Sequence, residues 1–385
     1  MELHRAGDLE GAEQCYRQVL GSYPEHPDAL HLLAVISNDR GRSDLALTMV
    51  RRAIGQAPRV ADFHGTLGVV LREQGRPDDA VAAFRRALEL DPGHVNGHNN
   101  LGNVLREQGH LDDALAHFHR ALELDPGHAP AHNNVGIVLE RQGKRDEAIA
   151  AYRSALELDP DLTVARNNLG NALQAHGDQE EAVANLMRAV EEDPGNVVAL
   201  NNLAVGLREL DRKEEAVVWY ERALEVEPEA VTTILNLGRV LKELGRNDEA
   251  HVQFTRAYEL DPDNAQAVVW YGVGLREVGR LDEAVAMFRR GLELLPDSAD
   301  AHGNLGMTLA IQGHMEEAIR EYRVATELRP EDDSIVFCLS LALVATGRLG
   351  EGWDLFDRGF GAGQRQPRSF GDIPTWDGSD LSGRR

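Results

Sequence analysis

Along most of the chain, apolar residues return every three or four positions in short blocks, and a glycine or a proline closes each block. In 95–128 the first block runs through Leu101, Val104 and Leu105, one stripe of an amphipathic helix, and Gly109 supplies its stop. Asp112 and Asp113 follow in the predicted first turn of a second helix, where the helix dipole favours carboxylates. Ala114, Phe118, Ala121 and Leu122 form the apolar face of that helix. Asp125-Pro126 ends it, because a residue before proline avoids the helical region. The pattern predicts two antiparallel helices. Gly102 and Ala114 are small where the two backbones are expected to approach most closely.

The block recurs without insertion. Pro24, Pro58, Pro92, Pro126, Pro160, Pro194, Pro228, Pro262, Pro296 and Pro330 stand 34 residues apart, and an alanine series from Ala12 to Ala318 keeps the same phase. One such hairpin cannot bury its apolar faces alone, so neighbours must stack into a solenoid. The order of Leu-Gly, Ala, Phe or Tyr, and Pro within the period resembles the tetratricopeptide repeat. The resemblance covers residues 1–360 and implies an all-α fold, a right-handed superhelical solenoid of helix-turn-helix repeats whose first helices line a concave surface. In this register 1–26 is a partial repeat, 27–332 holds nine full repeats, 333–360 is a degenerate capping repeat, and 361–385 is a Gly/Pro-rich linker or tail. Ser340 and Gly352 replace the usual glycine and alanine of the cap. The incomplete opening repeat is expected to leave apolar surface uncovered near Leu32, Leu33 and Ile36, and so to drive self-association.

Charge narrows the function classes. Asp and Glu total 64 against 40 Lys and Arg, a formal net charge of −24, which argues against nucleic-acid partners and against anionic membrane surfaces. No apolar run reaches the length of a membrane span, and Met1-Glu2-Leu3-His4-Arg5 does not open a leader peptide, so no membrane insertion is expected. The two cysteines, Cys15 and Cys338, suit a reducing cytoplasm.

Several residue series look chemical. His64, His98, His132 and His302 share one repeat position and fall in different layers, and no metal-ligand spacing is present, so no metal site or cofactor is expected. The pairs Asp112-Asp113, Glu180-Glu181, Glu214-Glu215 and Glu316-Glu317 all open second helices, where the dipole accounts for them. No catalytic grouping is recognised in 1–360.

The informative series is asparagine. Asn100, Asn134, Asn168, Asn202, Asn236 and Asn304 occupy one position of the first helix; Asn99, Asn133, Asn167 and Asn201 precede four of them, and Asn103 and Asn171 lie one turn further on. Asparagine is a mediocre helix former, so propensity does not select it repeatedly. Its amide donates and accepts, which suits the backbone of an extended peptide; it would equally tie neighbouring first helices together. Arg72, Arg106, Arg208, Lys242 and Arg276 should border the same surface, each followed by a glutamate. The asparagine row resembles the superhelical arm of O-linked N-acetylglucosamine transferases, a resemblance that implies protein or extended-peptide partners in the groove. It is confined to the repeats, so no catalytic residue carries over.

After Phe360 the helical periodicity breaks. Gly350-Glu351-Gly352-Trp353 followed by Pro374-Thr375-Trp376-Asp377-Gly378 and Leu381-Ser382-Gly383 resembles the junction of bacterial tetratricopeptide proteins that continue into a glycosyltransferase domain. The expected function is a peptide-binding scaffold without catalysis of its own, serving as the substrate-recruiting arm of such a transferase; the alternative is a stand-alone or self-assembling scaffold.

Overall fold

A computed structural model describes residues 8–361; residues 1–7 and 362–385, with nearly all of the stretch read as a linker, lie outside the described residues. The described residues form twenty-one helices and no strand. In chain order these begin with α1 (Leu9–Ser22), α2 (Pro27–Asp39), α3 (Ser43–Gln56), α4 (Ala61–Glu73), α5 (Pro77–Leu90), α6 (Val95–Glu107) and α7 (Leu111–Leu124). They continue with α8 (Ala129–Arg141), α9 (Arg145–Leu158), α10 (Thr163–His176), α11 (Gln179–Glu192), α12 (Val197–Glu209), α13 (Lys213–Val226) and α14 (Val231–Glu243). The last are α15 (Asn247–Leu260), α16 (Ala265–Glu277), α17 (Leu281–Leu294), α18 (Ala299–Ile311), α19 (Met315–Leu328), α20 (Asp333–Ala345) and α21 (Leu349–Gly361). Even numbers are first helices of a pair and odd numbers are second helices. None is long and apolar enough to cross a membrane.

Each first helix stops on a left-handed residue. Gly109, at φ 83°, donates to Arg106 O at 3.1 Å, and His110 N–H reaches back to Leu105 O at 2.8 Å. Those two bonds satisfy carbonyls that the helix itself leaves free. Glycine fills the position after every first helix except α12, where Asp211 stands at φ 58°. A β-carbon is strained in that region, although glycine also costs more entropy on folding. Asp211→Gly is therefore expected to stabilise the protein by about 0.5–1 kcal/mol. A urea midpoint that stays put or falls would count against this account of the turn.

The chain divides into two compact units at Trp219 and Tyr220, inside α13. In the first, one core runs through α4 to α11 by way of Leu71, Phe84, Leu101, Phe118, Tyr152 and Leu173. In the second, Val269, Phe288, Leu305, Tyr322 and Leu343 link α16 to α20 in the same manner.

The structure corrects the reason given for the small first-helix residue. An aromatic ring of the second helix, not its backbone, fills the space: a β-carbon on Gly102 would stand 2.6 Å from Phe118 Cε1, and one on Gly68 would stand 2.6 Å from Phe84 Cε1. The last pair inverts the arrangement. Ser340 is buried with its hydroxyl donating to Phe337 O at 2.7 Å, and a β-carbon on the facing Gly352 would meet Val344 Cγ2 at 2.7 Å.

The apolar opening expected at the N-terminal end is also corrected. Helix α1 covers it: Leu33 and Ile36 are buried with Ala12 and Tyr16, and Leu32 packs against that cluster. Self-association loses the surface on which it was expected. A buried carboxylate, Glu13, latches α1 to the end of α2 through Arg40, to Arg42 at 3.1 Å, and to Arg17 of its own helix at 2.7 Å. Burial alone would raise its pKa, but the bond from Arg42 and the three positive charges outweigh it and hold the carboxyl below its usual range.

Candidate functional site: an amide-lined face of the first helices

The asparagine doublets divide into a buried and an outer member. Asn99, Asn133 and Asn167 are buried, and their Oδ1 atoms accept Nδ2–H bonds from Asn134 at 2.9 Å, Asn168 at 3.0 Å and Asn202 at 3.2 Å. A ladder of side-chain amides thus ties α6 to α8, α8 to α10 and α10 to α12. His31 and Thr66 make the equivalent step from α2 to α4 at 2.7 Å. Asn201 instead donates to Val197 O of its own helix at 3.0 Å. The tie fixes the direction of each outer amide and leaves it one further N–H and most of its acceptor capacity.

How much of each outer amide reaches solvent differs along the row. Asn134 is buried, whereas Asn168 and Asn202 are half-buried. Exposed Val164 and Val198 sit one turn before those two, so amide and apolar surface alternate there. The Asn100 side chain makes no hydrogen bond among the described residues and lines a cleft of about 280 Å³ with His31, Asp62, Thr66 and His94. Asn103 faces Arg106 Nη2 at 3.4 Å. The buried Oδ1 of Asn171 has no hydrogen-bond partner among the described residues.

The basic series is mostly committed to neighbours. Arg208 pairs with Glu209 at 2.5 Å. Burial, with Arg141 nearby, lowers the pKa of the Arg106 guanidinium. In the second unit Arg276 donates to Asn304 Oδ1 at 2.8 Å and pairs with Glu277 at 3.4 Å, and Lys242 lies 3.7 Å from the same carboxylate. Asn304 in turn donates to Asp300 O at 2.8 Å. Arg72 has no ion pair among the described residues. The Asn236 side chain has no hydrogen bond among them either, and with Asn304 it lines a cleft of about 630 Å³ that also contains Arg239 and Trp270. Sequence reasoning passed over both of these last residues. Their signal was the gap in the asparagine row at position 270.

The remaining series have structural work. Through Nε2, His64, His98, His132 and His302 bond the carbonyls of Pro58 at 3.0 Å, Pro92 at 3.2 Å, Pro126 at 3.1 Å and Pro296 at 3.1 Å, each closing the preceding turn. His94 and His128 cap first helices by accepting the N–H of Gly97 and Ala131 at Nδ1. The helix dipole is not the whole account of the carboxylate pairs. Asp78, Asp112 and Asp282 accept from Gln108, Gln142 and Gln312 of the following first helix at 2.8, 3.1 and 2.7 Å. Glu215 and Glu249 take Arg212 and Arg246 at 2.7 and 2.5 Å. No group of three or more His, Cys, Asp or Glu among the described residues could hold a metal ion.

These histidines give the protein a pH dependence. Burial lowers the pKa of His31, His98, His117, His128 and His251. His98 and His117 also face each other, Nδ1 to Nδ1, at 3.0 Å, so one of them must accept there. A depressed histidine pKa means that the folded state binds fewer protons than the unfolded state. The stability it contributes is complete above the ordinary value near 6.5 and falls away as pH drops through the folded value. The urea midpoint is expected to be lower at pH 5.5 than at pH 7.5; equal midpoints would contradict the burial argument.

With the geometry in hand, comparison with known proteins places the chain. The tetratricopeptide repeat model matches residues 2–58, 38–95, 99–162, 235–277 and 272–333, and further models of the same repeat match 139–204 and 197–226. The chain is a tetratricopeptide repeat protein. No curated protein matches it significantly. Among solved structures, the tetratricopeptide repeat protein is similar to YrrB, described as having an unusual peptide-binding site: 24% identity, TM-score 0.42, 49% of this chain and 97% of YrrB. It is similar to PilF of Pseudomonas aeruginosa at 21% identity and TM-score 0.49, over 55% of this chain and 96% of PilF. MamA aligns at 23% identity and TM-score 0.36, over 42% of this chain and 95% of MamA.

Proposed function

We propose that this tetratricopeptide repeat protein is a non-catalytic scaffold that holds an extended peptide along the outer amides of its first helices. Residues 27–332 form its nine-repeat body in this reading, and 333–360 form the cap. The observation that carries it is the ladder: Asn133 and Asn167 are spent on orienting Asn168 and Asn202, whose remaining polar atoms are left without a partner of that kind. An orientation fixed before binding reduces the entropy lost on binding. Asn100 and Asn236, whose side chains make no hydrogen bond among the described residues, allow a clean test. Of two single variants, Asn100→Ala in the first unit and Asn236→Ala in the second, at least one should bind a peptide selected from a displayed random library about three- to tenfold more weakly, with the melting temperature unchanged. Unaltered affinity in both would contradict the reading.

We further propose that the scaffold serves as the substrate-recruiting arm of a glycosyltransferase. Support comes from the Gly350 to Trp353 sequence that opens α21, where Trp353 is exposed, and from the Pro374 to Gly383 motif. The coding frame beyond Arg385 tests this: an α/β transferase domain is expected there. Its absence would favour the stand-alone scaffold.

A further inference from the structure

In the second unit the asparagine row is interrupted by Trp270 of α16, between Asn236 of α14 and Asn304 of α18. We propose that this interruption reads acidity: the cleft beside Trp270 takes an Asp or Glu side chain from within an extended partner segment, with Arg239 as its counter-ion. The inference rests on the peptide-binding reading and adds to it the chemistry of one anchor.

The Arg239 guanidinium lies 5.3 Å from the centroid of the Trp270 ring. That ring is itself braced by the buried Phe254, with centroids 5.2 Å apart and planes 26° apart. Stacking on an indole holds a guanidinium in place while leaving its in-plane N–H donors available. The Arg239 side chain has neither an ion pair nor a hydrogen bond among the described residues. The other charges around the cleft are largely spent. Both carboxylate oxygens of Asp300 take Arg329, at 2.9 and 3.3 Å, and Arg276 is held by Asn304 and Glu277. Asp297, on the turn before α18, is exposed at the rim.

The free donors decide the ligand. A planar guanidinium matches a carboxylate, which can accept two parallel N–H bonds. The cleft, at about 630 Å³, is large enough for a side chain together with its backbone. Amides at Asn236 and Asn304 lie one repeat to either side, so the partner chain can run on in both directions. That favours an internal residue over a chain end, whose terminal carboxylate would need no continuation. A doubly charged phosphate would meet Asp300 and Asp297 with only one uncommitted cation to offset it.

The test selects random displayed dodecapeptides in parallel on the full chain and on its Arg239→Gln variant. The best binder is then remade with a blocked carboxyl end, with and without its acidic residue changed to the matching amide. Peptides selected on the native chain are expected to be rich in Asp and Glu, and those selected on Arg239→Gln are not. The acid-to-amide change should weaken binding to the native chain roughly ten- to hundredfold, the span for losing a hydrogen bond to a charged group. It should leave binding to Arg239→Gln unchanged, while Arg239→Lys keeps the acidic preference. Equal acidity in the two pools, or the same penalty in both proteins, overturns the proposal and leaves peptide binding standing. Binders that require a free carboxyl end make the cleft a chain-end reader and also overturn it. Failure to select any peptide on either protein sinks both readings.

Discussion

Gly136→Val is expected to cost about 3 kcal/mol, and Gly136→Ala about 1–2 kcal/mol, although alanine alone would favour an isolated helix by roughly 1 kcal/mol over glycine. The sign is reversed by what lies against the position. A β-carbon on Gly136 would stand 2.5 Å from Tyr152 Cε1 and 2.7 Å from Cδ1. The ring cannot easily swing aside, because its hydroxyl donates to Glu140 Oε2 at 2.9 Å and the side chain is fully buried. Either α8 and α9 separate or the Tyr152 bond breaks. Urea denaturation followed by circular dichroism reads the cost, and Tyr152→Leu in the same background should recover part of it. A Gly136→Ala protein as stable as the native chain would show that the glycine is only a relic of copied repeats.

The second large effect separates the members of an asparagine pair. Asn168→Ala leaves the buried Oδ1 of Asn133 without its donor, which should cost about 2 kcal/mol. Asn133→Ala leaves an N–H on the half-buried Asn168, which water can partly satisfy, so about 1 kcal/mol is expected. A double-mutant cycle on the two should give a coupling of about 1 kcal/mol. Asn100→Ala, with no ladder bond to lose, should be neutral. Additive costs at 133 and 168 would mean that the ladder contributes nothing to stability.

The sequence carried the helices well, because the 34-residue phase repeats their apolar stripes, stops and caps many times over. Gly109 and Asp125-Pro126 were legible as stops from local chemistry alone. What was not legible was which partner each polar residue had chosen. Asn99 and Asn100 are adjacent letters, yet one is buried beneath Asn134 and the other lines an open cleft. Adjacent residues of a helix point about 100° apart, so the neighbouring first helix covers one and not the other, and a single repeat does not show which. The closed N-terminal end was missed for a related reason. The partial first repeat was expected to leave α2 bare, but Ala12 and Tyr16 of α1 cover Leu33 and Ile36. Trp270 was visible only as a missing asparagine, and its meaning depended on finding Arg239 above its ring.

The central claim is that a partner lies extended along the first helices, and photo-crosslinking locates it directly. A library-selected peptide carrying benzoylphenylalanine at successive positions would be irradiated with the full chain and the adducts mapped by mass spectrometry. Adducts are expected on first helices, around Asn100, Asn168 and Asn202 in the first unit and around Asn236, Trp270 and Asn304 in the second. Adducts confined to second helices, beside Arg86, Arg120 or Arg290, would contradict it.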